Sequence, residues 1–142
     1  MTIPHVEQLT DSDRLVAIII HAEYCQPGIA FFTPNSFSQQ LAAMCHPKGH
    51  KIQAHLHKPL PRQVLHTQET LFVKRGVVKV NFYNEQKQYL TTRTLKTGDV
   101  ILLVSGGHDF EMLEETEMIE VKQGPYAEKE DKERFVPEPR EQ

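Results

Sequence analysis

The clearest pattern in the chain is an alternation of apolar and polar residues that is typical of β-strands. The segment 77–83 places Val78, Val80 and Phe82 on one face and polar residues on the other. The segment 35–44 fits a strand or a helix equally well. Further strands are predicted over 14–22 (where a short helix is the alternative), 29–32, 51–57, 88–95, 100–104 and 118–122.

Turn residues separate these segments at short and regular intervals. Pro47-Lys-Gly49 precedes one predicted strand, and the run 100–104 lies between Lys96-Thr-Gly-Asp99 and Ser105-Gly-Gly107. Short strands with Gly- and Pro-marked turns are typical of a sandwich or barrel, not of βαβ units. We therefore expect an all-β protein.

Length and composition set the size of that fold. The 142 residues are 39% apolar and 25% charged, which is typical of one globular domain. The net charge of −3 comes without a basic block, so no nucleic-acid partner is expected. The segment 125–142 is charged and lacks apolar periodicity, which predicts a surface segment and a loose tail that Phe135 pins to the body.

The chain shows no signal for secretion or membrane insertion. Its N-terminus lacks the basic and apolar regions of a signal peptide, and its longest apolar run, Leu15 to Ile20, is too short for a span. We expect a cytoplasmic protein with no membrane partner. Cys25 and Cys45 have no metal-knuckle spacing and are expected to be reduced and buried.

Four residues stand out as potential metal ligands. His55 and His57 are two apart on a predicted strand, so both imidazoles would project from one face, either toward one ion or, because Ile52, Ala54 and Leu56 form the apolar face, toward water. Glu69 begins the next predicted strand, and His108 follows a tight glycine corner. Phe110 and Met112 share the predicted face of His108, which indicates that this face points inward.

The spacing around these residues resembles the two motifs of the cupin superfamily. Gly49, the His-x-His pair, Glu69 and Gly76 resemble the first motif; Gly98, Gly106 and His108 resemble the second. Two features depart from the usual pattern: the gap from His57 to Glu69 is longer, and Val104 replaces a proline while His108 comes one residue early. Small single-domain cupins with segments like Gly106-Gly-His108 are the nearest resemblance.

The resemblance implies a double-stranded β-helix, the jelly-roll barrel of cupins, with a metal near one end. It implies one domain over 1–142, with N-terminal strands at 14–32, a barrel at about 29–124 and a tail at 125–142. The implied cofactor is one divalent transition metal, Fe, Mn, Ni or Zn. The implied ligands are His55, His57, Glu69 and His108, and the long gap leaves His66 as an alternative ligand.

Other residues are candidates for contact with a substrate. Arg62, in the loop after the His-x-His pair, is suited to clamp an anionic group or else is a solvated arginine. Glu120 and Lys122 share one strand face; if that face lines the interior they are candidates for substrate contact or proton transfer, and otherwise they are an exposed pair on one strand. The predicted catalytic residues are Glu69 and Lys122.

Three functions fit these residues. The first is a metalloenzyme (an oxygenase, isomerase or lyase) acting on a small polar or anionic substrate. The second is a non-catalytic binding module for a sugar or small acid. The third is a metal-independent sugar-nucleotide isomerase or epimerase, which requires His55 to converge with Tyr83 or Tyr126. By analogy with the fold, spare apolar N-terminal strands suggest a homodimer.

Overall fold

The structure is a computed structural model that describes residues 2–140, with 42% strand and 3% helix. The chain divides into two compact units. Met1–Tyr24 with Thr67–Gln142 forms the first, here called the sandwich unit, and Cys25–His66 forms the second, the histidine-rich unit.

Within residues 2–140 the chain forms ten strands and one short helix. In chain order they are β1 (Val6–Asp11), β2 (Arg14–Ile20), β3 (Gly28–Phe31), β4 (Ala42–Cys45), β5 (Glu69–Arg75), β6 (Val77–Tyr83), β7 (Tyr89–Lys96), β8 (Val100–Leu103), β9 (Gly107–Met112), β10 (Glu117–Lys122) and α1 (Glu128–Asp131).

The strands pair into three antiparallel sheets. The sandwich unit contains a five-stranded sheet of order β1-β2-β8-β5-β10 and a three-stranded sheet of order β7-β6-β9. The histidine-rich unit contains the hairpin β3-β4. Within residues 2–140 each sheet has two edge strands and none closes on itself, so the all-β prediction is confirmed at the level of antiparallel sheets.

One hydrophobic core joins the two sheets of the sandwich unit. The alternation predicted for 77–83 is observed, because Val78, Val80 and Phe82 are fully buried in that core. The core also takes in residues of the five-stranded sheet, among them Leu71 and Val73 of β5. Because side chains two apart share a strand face, the face of β5 that carries Leu71 and Val73 is the inner face.

A glycine corner sets the start of β9. Gly106 has φ +75°, and a Cβ there would overlap the carbonyl oxygen of Tyr83. Only glycine meets both demands, since it has no Cβ and tolerates the left-handed region. The corner therefore fixes where Gly107 and His108 enter the three-stranded sheet.

The structure differs from the sequence expectation at the His-x-His segment. Residues 51–57 were predicted as a strand, yet no strand lies between Cys45 and Glu69. The apolar positions of the alternation stay exposed, with Ile52 at 60% and Leu56 at 80%. The alternation finds no hydrogen-bonded partner strand, and Pro59 and Pro61 lack the N–H donors to extend one.

The cysteines differ from expectation in one respect, whereas the tail is pinned as predicted. Cys25 and Cys45 are free, as predicted, but both are exposed: Cys45 ends a hairpin of two four-residue strands, which offers little interior, and Cys25 precedes that hairpin. Phe135 packs edge-on against Tyr83 with ring centroids 5.3 Å apart, which confirms the predicted pin.

Candidate functional site

Three ionisable side chains lie on the inner face of the five-stranded sheet, at the start of β5. Glu69 lies directly opposite Lys122 of β10, and Glu120 lies opposite Leu71. Leu71 is in the core, so Glu69, Glu120 and Lys122 share the face that the core occupies. At this end of the sheet the face borders solvent, because the side chain of Glu120 is 42% exposed and that of Lys122 is 23% exposed, so a role of either in contacting substrate stays a prediction.

His108 approaches from the other sheet. It lies opposite Phe82 in the pairing of β6 with β9, and Phe110 lies opposite Val80. Directly opposite residues of antiparallel strands share a face, so His108 and Phe110 face the interior, as predicted. Phe110 packs against the core, whereas Met112 is 47% exposed at the far end of the strand.

These four residues form what we call the inner cluster: Glu69, His108, Glu120 and Lys122. Burial lowers the pKa of His108 below its usual 6.5, and the positive charge of Lys132 acts in the same direction. Nearby carboxylates, including Glu69 and Glu120, oppose this effect without outweighing it. His108 is therefore mainly a neutral imidazole at neutral pH, the form that binds metals or accepts protons.

Lys122 supplies the cation of the inner cluster. Desolvation alone would lower its pKa, but the carboxylates of Glu120 and Glu69 outweigh that effect and raise it. The Lys122 ammonium lies 3.5 Å from the Glu120 carboxylate and 5.3 Å from the centre of the Tyr126 ring. An ammonium held this way offsets the negative charge of the carboxylates beside it.

Two members of the inner cluster have unused hydrogen-bonding capacity. Within residues 2–140, the His108 imidazole and the Glu69 carboxylate make no side-chain hydrogen bond to the protein, and the only ring contact of His108 is with Phe110. Both side chains are half-buried, so water can satisfy these polar groups when no ligand is bound. Polar groups that face inward without protein partners are suited to bind a ligand.

The remaining predicted site residues lie in the histidine-rich unit. His55 and His57 are exposed, their rings contact edge-on at 5.3 Å, and the His55 Nδ1 lies 2.8 Å from the Gln53 carbonyl oxygen. Arg62 and His66 are exposed as well. The four-ligand set His55, His57, Glu69 and His108 spans both units and stays a prediction.

A second histidine cluster, which the sequence analysis missed, lies at a corner of the sandwich unit. The ligand atoms of His21, Glu23 and Asp99 lie within 4.8 Å of one another, the one such group of three found in residues 2–140. His21 Nε2 also lies 2.6 Å from Glu7 Oε2. We call His21, Glu7, Glu23 and Asp99 the corner cluster.

The corner cluster is occupied by its own protein partners. Asp99, 1% exposed, accepts hydrogen bonds from the backbone N–H groups of Ala22 and Lys96, each at 2.8 Å. The Lys96 ammonium lies 2.7 Å from Glu23 and 3.9 Å from Asp99. An ammonium thus already lies beside two of the three candidate ligands, and the carboxylate of Asp99 closes the turn before β8.

A third polar group lies on the outer face of the three-stranded sheet. The Asp109 carboxylate accepts hydrogen bonds from Asn81 at 2.8 Å and from the Tyr83 hydroxyl at 2.5 Å. Burial and then the Asp109 carboxylate raise the pKa of Tyr83 to about 12. Tyr83 thus faces away from the inner cluster, so it does not supply the acid or base of a metal-independent epimerase there.

Comparison with known proteins identifies no relative of this chain. No family model matches the chain, and neither a curated protein nor a solved structure matches it. Among the described residues, no helix is long and apolar enough to cross a membrane.

Proposed function

We propose that the protein is a cupin-type metal-binding protein whose site is the inner cluster. In this proposal His108 and Glu69 bind one divalent transition metal, Fe, Mn, Ni or Zn, and Lys122 binds the anionic group of a small polar substrate. The observation that carries it is that an imidazole and a carboxylate, neither with a side-chain hydrogen bond within residues 2–140, lie on the inner faces of the two sheets and interact electrostatically.

The strand pairing supports the finer fold assignment within this proposal. The outer pair of strands is β5 with β10, and the inner pair is β6 with β9. The chain from β6 to β9 passes through β7 and β8, which are connected by a tight turn at Lys96–Asp99. Nested antiparallel pairs of this kind are what a ribbon wound into a jelly roll produces. The double-stranded β-helix fits this order.

The donor set fits a metal ion. A neutral imidazole and a carboxylate are ordinary ligands of first-row divalent metals, and the capacity that Glu69 and His108 leave unused provides the lone pairs. Such an ion, when bound, polarises a substrate oxygen as a Lewis acid or takes part in redox chemistry. The protein's own residues then orient the substrate through Lys122 and move a proton at the Glu120 carboxylate.

One observation favours a second candidate, a non-catalytic binding module. The carboxylates of Glu120 and Glu69 lie close enough to Lys122 to raise its pKa. The Lys122 ammonium therefore offsets their negative charge without any metal. A metal-free inner cluster would bind a sugar or small acid by hydrogen bonds and charge. Association into a homodimer stays a prediction under either function.

Metal analysis of protein purified without chelator tests the proposal. We expect close to one first-row metal per chain, its loss in His108→Ala and in Glu69→Gln, and its retention in the matched control His21→Ala. The same assay on His57→Ala tests the predicted His-x-His ligands. Metal retained in both inner-cluster variants, or lost in the His21 variant, would refute the assignment; metal-free protein that still binds small acids would favour the binding module.

A further inference from the structure

The C-terminal segment after β10 crosses the end of the sandwich unit where the inner cluster lies. The backbone N–H of Gln68, next to Glu69, donates to the Gln123 side chain at 2.5 Å. The Thr67 hydroxyl donates to the Asp131 carboxylate. Both contacts tie the segment to the residues that immediately precede Glu69.

The same segment then passes to the outer face of the three-stranded sheet, where Tyr83 and Gly107 lie. A Cβ on Gly107, the residue before His108, would lie 3.0 Å from the Phe135 ring, so that ring packs directly on the glycine. Lys87 also pairs with Glu133 at 2.6 Å. The segment 123–135 is therefore anchored beside Glu69 at one point and on the outer face of the three-stranded sheet, behind His108, at another.

Between these anchors the segment carries groups that act on the cluster. The Tyr126 ring lies under the Lys122 ammonium, and the Tyr126 hydroxyl donates to Glu128 at 2.5 Å, which fixes the ring. The charge of Lys132 is close enough to influence His108. A side chain held by a cation–π contact loses less freedom when it binds an anion.

From these contacts we propose that the segment 123–135 is part of the ligand site: it covers the inner cluster, with Tyr126 positioning Lys122 and Phe135 holding the end of the cover on the outer face of the three-stranded sheet. The inference rests on the proposed function only in taking the inner cluster as a ligand site. A ligand then enters when the cover lifts, and the low density of core contacts along the segment makes such local opening easier than opening of the sheets.

Acylation of histidines by diethyl pyrocarbonate, read by peptide mass spectrometry on the full chain, tests the cover without metal or substrate. Phe135→Ala removes the anchor, whereas Val136→Ala changes a neighbouring side chain that is 94% exposed. We expect His108 to be acylated roughly fivefold faster in Phe135→Ala than in the wild-type protein. The acylation rate of His21 should stay the same, and Val136→Ala should change neither rate. Equal His108 rates in both variants would overturn the proposal.

A crosslink gives a second test that does not depend on loosening the fold. Thr67→Cys with Asp131→Cys, in a chain with Cys25→Ser and Cys45→Ser, ties the cover down when oxidised. We expect uptake of added Zn²⁺ to slow at least roughly tenfold on oxidation and to recover on reduction. Unchanged uptake would refute the cover while leaving metal binding intact; Zn²⁺ that never binds would refute the proposed function, and the acylation rates would then decide the cover alone.

Discussion

Two histidine–carboxylate clusters in the sandwich unit differ in what their polar groups are bonded to. In the corner cluster, His21 pairs with Glu7, Asp99 accepts two backbone hydrogen bonds, and Lys96 lies beside the carboxylates. In the inner cluster, Glu69 and His108 make no such side-chain bonds within residues 2–140. Bonded polar groups stabilise a fold, and groups left unbonded on an inner face are available to a ligand.

The largest effect expected from this difference is on stability at the corner. Asp99→Ala leaves two partly buried N–H donors without an acceptor, so we expect a loss of about 3 kcal/mol in the free energy of unfolding. Urea denaturation followed by circular dichroism measures it. If Asp99→Ala lowers the free energy of unfolding no more than Glu69→Gln does, the two clusters do not differ in their contribution to stability.

Asp109, on the outer face of the three-stranded sheet, is a second carboxylate with hydrogen-bond partners in the protein, and it follows His108 directly in the sequence. Tyr83→Phe removes the hydroxyl that donates to Asp109, and we expect a loss of about 1.5 kcal/mol at neutral pH. The raised pKa of Tyr83, about 12, means that the wild-type advantage is complete below pH 10 and disappears as the pH rises through 12.

Denaturation at several alkaline pH values measures this dependence. Tyr89→Phe is the matched control, because Tyr89 is 43% exposed and should contribute less. A difference between wild type and Tyr83→Phe that stays constant from pH 8 to about 12 would show that the hydroxyl does not carry the contribution.

The pair of Glu7 with His21 should contribute less and depend on acidic pH. Burial alone would raise the pKa of Glu7, but hydrogen bonds from Arg93 and His21 outweigh it and hold the pKa below 4.5. A lowered carboxyl pKa stabilises the fold above pH 4.5, and that stabilisation is lost as the pH falls further.

We therefore expect Glu7→Gln to cost about 1 kcal/mol at neutral pH, a value reduced by partial exposure, with the cost shrinking in acid. Thermal unfolding from pH 3 to 7 measures it. Glu111→Gln, which removes an exposed pair with Lys79, is the control and should cost less. A cost that grows toward low pH would have the wrong sign for this account.

The smallest stability effect is expected in the inner cluster. Glu69→Gln keeps the shape of a side chain that makes no side-chain hydrogen bond within residues 2–140, and it removes one charge opposite Lys122. We therefore expect the free energy of unfolding to change by no more than about 0.5 kcal/mol. Urea denaturation of metal-free protein checks it. A loss approaching that of Asp99→Ala would make Glu69 a structural residue.

The sequence predicted the strands of the sandwich unit well because their alternation is long and their turns are marked. The strand 77–83 and the inward face of His108 and Phe110 follow from the two-residue period alone. The same period failed at 51–57, where alternation lacks a partner strand. Periodicity describes one strand, whereas a sheet also requires a neighbour.

The sites were predictable to different degrees for a related reason. Glu120 and Lys122 could be placed on one face from spacing, and their inward direction followed once β5 was known to be buried beside them. The corner cluster depends on contacts between residues that are distant in sequence: the Ala22 N–H donates to Asp99, 77 positions away. No local sequence pattern predicts such a contact. The turn Lys96-Thr-Gly-Asp99 was visible in the sequence, but the partner of its aspartate was not.

Titration of the metal-free protein with Zn²⁺, followed by the imidazole ¹⁵N chemical shifts, distinguishes the two clusters as metal sites. We expect the resonances of His108 to move and saturate at one equivalent while those of His21 stay in place. Resonances of His21 that move first, with His108 unaffected, would place the metal at the corner cluster and refute a metal site at the inner cluster.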